Sequence, residues 1–142
     1  AADDLWFPNG TVISPDGKTL IVAETLGSRL TSFDIDAQGS LSNRRTFVER
    51  SGMFPDGICL DAECAVWVAD PRNKEVIRIR NDGEVTERID LGVRGAYACM
   101  LGGPDKRTLF ICSNVDSGPK TAEIKEGRID FTRVDVPGAG WP

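Results

Sequence analysis

The chain has 142 residues, of which 40% are hydrophobic and 27% are charged, and its formal net charge at pH 7 is −5. This length is sufficient for one domain with a hydrophobic core. The slightly acidic balance argues against nucleic acid or an anionic membrane surface as a partner. No apolar stretch reaches the ~18 residues of a membrane-spanning helix, and no signal peptide is visible at the start.

A repeated unit organises the sequence. Its copies read FPNGTVISPDGKTLIVAET over Phe7–Thr25, FPDGICLDAECAVWVAD over Phe54–Asp70 and, in a more divergent form, YACMLGGPDKRTLFICSN over Tyr97–Asn114. The first two openings lie 47 residues apart. Repeats of roughly 40–50 residues built from strands and turns are typical of β-propeller blades.

Each copy predicts two apolar strands around a tight turn, and each intervening segment predicts an outer pair of more polar strands. The inner pairs are Thr11–Ile13 with Thr19–Ala23, Ile58–Leu60 with Val66–Ala69, and Cys99–Leu101 with Thr108–Cys112. The outer pairs are Arg29–Asp36 with Ser42–Glu49, Glu75–Arg80 with Glu84–Leu91, and Glu123–Lys125 with Arg128–Val134. We therefore expect an all-β single domain of three four-stranded propeller blades, at roughly residues 5–50, 51–95 and 96–142, with almost no helix.

Three blades are too few for a closed propeller, because such rings close with about 4–8 blades and closure removes exposed sheet edges. We expect the chain to be the C-terminal half of a six-bladed molecule. The alternative is that two copies of the chain pair into a six-bladed ring. In both cases the missing half is a partner that this sequence requires.

The chain contains no histidine. This excludes a Ser-His-Asp or Cys-His mechanism within the chain, and any zinc site that depends on imidazole. A catalytic site must instead use carboxylates, amides, hydroxyls, Lys, Cys or Tyr, which favours the assistance of a metal ion.

The four cysteines form no Cys-x-x-Cys pair, and all but Cys64 lie in apolar, strand-like runs. They are Cys59, Cys64, Cys99 and Cys112. We predict reduced cysteines that act as small core residues, which is typical of a cytoplasmic protein. One disulfide or a reactive thiol is the alternative, with Cys64 as the most exposed candidate because it falls in a turn.

Asn9-Gly10 and Asp56-Gly57 stand at the mouths of the first two innermost strands. Glycine lets the backbone turn sharply and approach a ligand closely, and equivalent positions on successive inner strands point toward the shared axis. An amide oxygen and a carboxylate could then meet at one ion, and such hard donors suit Ca²⁺, Mg²⁺ or Mn²⁺. Alternatively, both are ordinary turn residues that bond their own backbone. Asn9 also begins an Asn-x-Thr glycosylation sequon, which we treat as accidental if Asn9 lines a channel.

Other residues near these strands have less specific signals. The third copy aligns Ala98 with Asn9, so we expect no ligand from that blade. We predict that Tyr97 and Met100 pack in the core, and the alternative is that they form part of the wall of a substrate pocket. Asp61 is expected to stabilise a turn.

One polar residue follows the second strand of each copy. These residues are Glu24, Asp70 and Ser113. We predict solvated strand ends, and the alternative is that they lie near the channel mouth and contact the substrate or the metal ligands.

Four motifs occur in order along the chain: FPNG followed by SPDGKTL, LSNRR over Leu41–Arg45, PDGICLDAE followed by VWVA, and ACMLGG followed by TLF. In this order and spacing, the sequence resembles the second half of the senescence marker protein (regucalcin)/gluconolactonase family of six-bladed propellers. The resemblance covers essentially the whole chain.

The resemblance implies a divalent cation in the central channel, held by a Glu, an Asn and an Asp, and hydrolysis of sugar lactones or related cyclic esters. By motif position the Asn is Asn9 and the Asp is Asp56, while the Glu belongs to the half that this sequence lacks. Ca²⁺ is the expected ion, with Mg²⁺, Mn²⁺ or Zn²⁺ as alternatives. Such an ion would polarise the lactone carbonyl, and Asp56 would take a proton from the attacking water, although a carboxylate held by a cation is a weakened base.

Two other classes of function fit the same scaffold. One is a non-catalytic propeller that binds calcium or a sugar. The other is an interaction platform, for which Asn9 and Asp56 would be dispensable. Fold alone does not decide between these functions, since propellers host many of them.

Overall fold

A computed structural model describes residues 1–140. It contains eleven β-strands: β1 Pro8–Ile13, β2 Thr19–Glu24, β3 Arg29–Ile35, β4 Leu41–Glu49, β5 Ile58–Leu60, β6 Val66–Asp70, β7 Glu75–Ile79, β8 Val85–Asp90, β9 Gly95–Gly102, β10 Thr108–Asn114 and β11 Arg128–Arg133. Two short 3₁₀ helices, Thr25–Gly27 and Pro119–Ala122, are the helices of the described residues. Neither is long and apolar enough to span a bilayer.

The strands form three antiparallel sheets in which chain neighbours pair. The first sheet has the order β1-β2-β3-β4, the second β5-β6-β7-β8, and the third β9-β10-β11. These are the successive up-and-down meanders of propeller blades. The predicted all-β propeller is therefore confirmed.

The third sheet has three strands within the described residues, so the predicted strand at Glu123–Lys125 is wrong. The chain there forms turns after the 3₁₀ helix Pro119–Ala122. Glu123 N and Ile124 N both donate to Lys120 O, at 3.0 and 3.2 Å, so the backbone of this segment is satisfied locally instead of in a ladder. Trp141 and Pro142, which end the predicted third blade, lie outside the described residues.

Two hydrophobic clusters fill the space between the sheets. The first joins the first and second sheets, and its largest members are Leu30, Met53, Ile77 and Ile79. The second joins the second and third sheets and contains Trp67, Leu109 and Ile111. Strand β6 is buried along its whole length between the two clusters, as its continuous apolar sequence predicts.

The other face of the third sheet is apolar and exposed. Met100, Phe110 and Phe131 pair across its three strands and are 38%, 40% and 72% exposed, and the neighbouring Ile129 is 69% exposed. On β9 and β10 the residues that alternate with them are buried in the second cluster. An uncovered apolar face of this kind is typical of a surface that another element covers.

The cysteines are free in the described chain, as predicted. Cys59 and Cys99 are buried at the junction of the second and third sheets, with their Sγ atoms 3.9 Å apart. Cys64 is exposed in its turn, which agrees with the sequence analysis. Cys112 is also exposed, contrary to the expected core position, because it lies on the uncovered face of the third sheet.

Asp61 organises the turn between β5 and β6. Its carboxylate is fully buried and accepts a 2.6 Å bond from Arg78 Nε, as well as the backbone N–H groups of Glu63 (2.9 Å) and Ala65 (3.1 Å). The backbone around it also pairs with Gly138, which ties the end of the described chain to the second sheet. The predicted structural role of Asp61 therefore agrees with its contacts.

We expect Asp61→Ala to lower the free energy of unfolding by about 3–5 kcal/mol, because it leaves the buried Arg78 guanidinium without its main partner. Urea unfolding followed by tryptophan fluorescence measures the change. Asp82→Ala is the matched control, since Asp82 bonds a backbone N–H in an exposed turn and has no buried arginine partner. Equal losses in both variants would contradict the assigned importance of the ion pair.

Candidate functional site

Successive inner strands are joined by one repeated backbone bond. Gly10 N donates to Asp56 O at 3.0 Å, and Gly57 N donates to Tyr97 O at 3.0 Å. The repeated bond makes the two glycines equivalent. It also makes Asn9, Asp56 and Tyr97 equivalent, each at the same height on its blade.

The two glycines are required by how closely the strands approach. A Cβ atom on Gly10 would lie 2.4 Å from Asp56 O, and a Cβ on Gly57 would lie 2.6 Å from Ala98 Cα. Both neighbours are backbone atoms, which cannot rotate away. Neither glycine has a positive φ. Glycine is therefore needed at these two positions because the strands approach closely, and not because the backbone adopts a left-handed conformation.

The structure places the two predicted ligands at equivalent positions on neighbouring inner strands. Asn9 is exposed and Asp56 is half-buried. Asn9 Nδ2 donates to Thr25 Oγ1 at 3.3 Å, and Thr25 Oγ1 donates to Pro55 O at 2.7 Å. This chain of bonds links the mouth of the first inner strand to the residue before Asp56.

The electrostatics of Asp56 differ from those of an exposed carboxylate. Burial raises its pKa, the nearby Asn9 side chain lowers it, and the negative charge of Asp70 raises it, so the net shift is upward. Asp56 is thus a partly desolvated carboxylate near a neutral amide and a second carboxylate. A divalent cation would compensate that charge, so the donor set fits a hard metal ion.

The structure corrects the register of the third repeat. Sequence alignment pairs Ala98 with Asn9, but the backbone bonds place Ala98 at the glycine position and Tyr97 at the position of Asn9 and Asp56. Sequence reasoning missed this because the third copy lacks the Pro-x-Gly opening. The usable signal was the small side chain of Ala98, since only a small residue fits where the strands approach so closely.

The sequence predicted that Glu24 is a solvated strand end, and the structure shows that this prediction is wrong. It is fully buried and accepts bonds from Trp6 N (2.7 Å), Arg29 Nε (2.9 Å) and Thr31 Oγ1 (2.5 Å). Burial by itself would raise the pKa of Glu24, but the bonds from Arg29, Thr31 and Trp6 lower it to about 2. The carboxylate therefore fastens the segment that enters β1 to the end of β2.

Asp70 makes the equivalent connection in the second repeat. Its Oδ2 accepts Phe54 N at 2.8 Å, and its Oδ1 accepts Arg72 N and Asn73 N at 3.1 and 2.9 Å. In the third repeat Ser113 is also buried, accepting Arg94 Nε at 3.0 Å. All three predicted strand-end residues are thus buried and hydrogen-bonded. Glu24 and Asp70 bind the backbone just before the inner strands of the first two sheets, next to Asn9 and Asp56.

Among residues 1–140, no three His, Cys, Asp or Glu side chains cluster closely enough to hold a metal ion. Asn9 and Asp56 therefore remain a predicted pair of ligands that needs further donors. The geometry shows three propeller-type sheets, with Asn9 and Asp56 on the neighbouring inner strands of the first two.

Residues 1–115 match the family model described as the SMP-30/gluconolactonase/LRE-like region. The chain belongs to this family. The match confirms the resemblance drawn from the four sequence motifs.

Curated relatives support the same assignment. The chain is 33% identical over 147 residues to a 6-deoxy-6-sulfogluconolactonase of Pseudomonas putida, covering 99% of the chain and 50% of that protein. It is 33% identical over 144 residues to regucalcin of Xenopus laevis, covering 96% of the chain and 48% of that protein. The chain therefore spans about half the length of the curated relatives it matches.

A solved structure agrees with the fold. The calcium-binding protein regucalcin of Agrobacterium tumefaciens superposes with a TM-score of 0.75 at 27% identity, over 95% of this chain and 48% of that one.

We expect Gly57→Ala to destabilise the protein by about 1–3 kcal/mol, because the added methyl forces the second and third inner strands apart. Urea unfolding measures the loss. Gly127→Ala is the control, since a Cβ there meets open space and should change stability by less than about 0.5 kcal/mol. A Gly57 variant as stable as the Gly127 variant would show that the strands do not approach this closely.

We expect Glu24 to stabilise the fold most above pH 4.5 and to lose this contribution as the pH falls from its ordinary pKa of 4.5 toward about 2. The sign follows because the folded pKa is lowered, so acid favours the unfolded state. Glu24→Gln should cost on the order of 3 kcal/mol at pH 7 and flatten the decline in stability below pH 4.5. Denaturant unfolding at several pH values measures both effects, with the exposed Glu126→Gln as the control. An unchanged acid dependence in the Glu24 variant would argue against the assignment.

Proposed function

We propose that this chain is half of a six-bladed propeller that hydrolyses a sugar lactone or related cyclic ester with the help of one divalent cation. The observation that carries the proposal is geometric: Asn9 and the half-buried Asp56 occupy equivalent positions on two inner strands that the Gly10 N–Asp56 O bond joins. Membership of the family and the likeness to a sulfogluconolactonase support the reaction class.

The remaining blades are proposed to come from the other half of a longer protein. The support is the uncovered apolar face of the third sheet, with Phe131 72% exposed, together with the chain's coverage of about half of its relatives. A second copy of the chain is the alternative source of those blades. The Glu ligand implied by the family resemblance would then belong to the missing blades.

Asn9 and Asp56 would hold the cation through oxygen. Because Asn9 Nδ2 is engaged by Thr25, the amide oxygen is left for a metal. Ca²⁺ is the preferred proposal and Mg²⁺, Mn²⁺ or Zn²⁺ are alternatives, since the donors from this chain are hard and include no imidazole or thiolate. When bound, the cation supplies Lewis-acid polarisation of the lactone carbonyl and stabilises its developing negative charge.

Asp56 is also the proposed general base. Its carboxylate would accept a proton from water as the water oxygen bonds to the carbonyl carbon, and the ring C–O bond would then break as the leaving oxygen takes up a proton. The raised pKa of Asp56 makes it a better proton acceptor than an exposed aspartate. A bound cation acts in the opposite direction, so the ligand role and the base role compete at this residue.

A second candidate is a propeller that binds calcium without catalysis. The likeness to a structure described as a calcium-binding protein, at 27% identity, supports this alternative. It requires the same pair of ligands and differs only in the absence of turnover.

We expect Asn9→Ala and Asp56→Asn, made in the full-length protein, to reduce hydrolysis of glucono-1,5-lactone by about 10²-fold or more and to weaken Ca²⁺ binding. A chelator should abolish the wild-type rate, and added Ca²⁺ should restore it. Activity is followed by acid release and metal affinity by calorimetry, with Asp82→Asn as the control in an exposed turn.

The outcomes separate the candidates. Calcium binding without lactone hydrolysis by the wild type would favour the non-catalytic binder. Unchanged metal affinity in both variants would show that Asn9 and Asp56 are not ligands.

A further inference from the structure

We infer that Tyr97 and the loop after β10 form a subsite for the hydroxyl groups of a polyhydroxylated substrate, beside the Asn9–Asp56 pair. This inference rests on the proposed lactonase function and specifies the part of the substrate that the third blade recognises. It begins from the corrected register, which places Tyr97 at the same height as Asp56 on the neighbouring inner strand.

The position of Tyr97 is fixed by the backbone. Its carbonyl accepts Gly57 N at 3.0 Å, so it lies one strand away from the residue that follows Asp56. Ala98 lies against Gly57, so closely that a Cβ added to Gly57 would come within 2.6 Å of Ala98 Cα. The third blade thus places an aromatic side chain with a hydroxyl group where the first two blades place an amide and a carboxylate.

An open recess of about 160 Å³ adjoins Tyr97. Its lining combines one aromatic ring with an amide, a carboxylate and two hydroxyls, contributed by Tyr97, Asn114, Asp116, Ser117 and Thr121. Aromatic surface together with a few hydrogen-bonding groups is the composition of a small-molecule site. A sugar fits this chemistry, because its hydroxyls donate and accept bonds while its C–H face packs on an aromatic ring.

Two side-chain oxygens hold the loop by accepting its backbone N–H groups, and other side-chain groups remain for a ligand. Asp116 Oδ1 accepts Ser117 N and Gly118 N at 2.7 and 3.1 Å, and Asn114 Oδ1 accepts Val115 N at 2.9 Å. The Ser117 hydroxyl and the Asn114 amide nitrogen are therefore donors that the loop's own geometry does not need. Pro119 begins the 3₁₀ helix that closes the loop and limits its freedom.

The placement predicts how substrate contacts are divided. The carbonyl of the lactone would face the Asn9–Asp56 pair, and hydroxyls further along the same molecule would reach Tyr97 and Ser117. The subsite would then favour lactones that carry hydroxyl groups over lactones that carry none, because a hydrogen-bonding site rejects an analogue that lacks the matching group.

The test compares two substrates in the full-length protein. Tyr97→Phe and Ser117→Ala each remove one hydroxyl, and Ser42→Ala removes an exposed hydroxyl from the outer strand of the first sheet as a matched control. We expect each subsite variant to lower kcat/KM for glucono-1,5-lactone by about tenfold, mainly through KM. Hydrolysis of δ-valerolactone, which has no hydroxyls, should change by less than about twofold, as should both activities of the control.

Equal losses on both lactones would assign Tyr97 a structural role and overturn the subsite, as would no loss on either. If the wild type hydrolyses neither lactone, the proposed function fails, and calorimetry with gluconate still tests the recess. Gluconate binding that weakens about tenfold in the two variants would retain the subsite. Gluconate binding that is absent in the wild type or unchanged in the variants would overturn it.

Discussion

The close contact between successive inner strands is the constraint on which the rest of this structure depends. The N–H of Gly10 donates to the carbonyl of Asp56, and the N–H of Gly57 donates to the carbonyl of Tyr97. Each of these bonds joins one blade to the next. They exist only because Gly10 and Gly57 have no Cβ to collide with the facing backbone. The same contact sets the register of the blades, and it brings Asn9, Asp56 and Tyr97 to one height although they are far apart in sequence.

Buried carboxylates fix the segments that lead into these inner strands. Glu24 and Asp70 each bind the backbone N–H of the segment that enters an inner strand, at Trp6 and at Phe54. A buried carboxylate is stable only when its oxygens are satisfied, and here the satisfying groups are the ones that must be positioned. Asp70 also raises the pKa of Asp56 through its charge, so the positioning network contributes to the electrostatics of the candidate site.

Much of the fold was predictable from the sequence because the repeats carry strong local signals. The apolar runs and the Asp61 turn identified the blades, and the absence of histidine limited the chemistry to oxygen donors. The predicted outer strand at Glu123–Lys125 is absent, because Glu123 N and Ile124 N bond Lys120 O instead of a neighbouring strand. The register of Tyr97 was missed for another reason, since it depends on contacts between blades that no single repeat contains.

The site's chemistry follows from an unfavourable arrangement of charge. Asp56 is half-buried and lies near a second carboxylate, and the neutral Asn9 amide only partly compensates. Folding tolerates such an arrangement when a ligand supplies the missing positive charge, because binding to the folded state alone stabilises it. The exposed apolar row of the third sheet is a second unfavourable feature, because large hydrophobic side chains there remain in contact with water. Under the proposed function, a cation would compensate the charge of Asp56, and further blades would cover the apolar face of the third sheet.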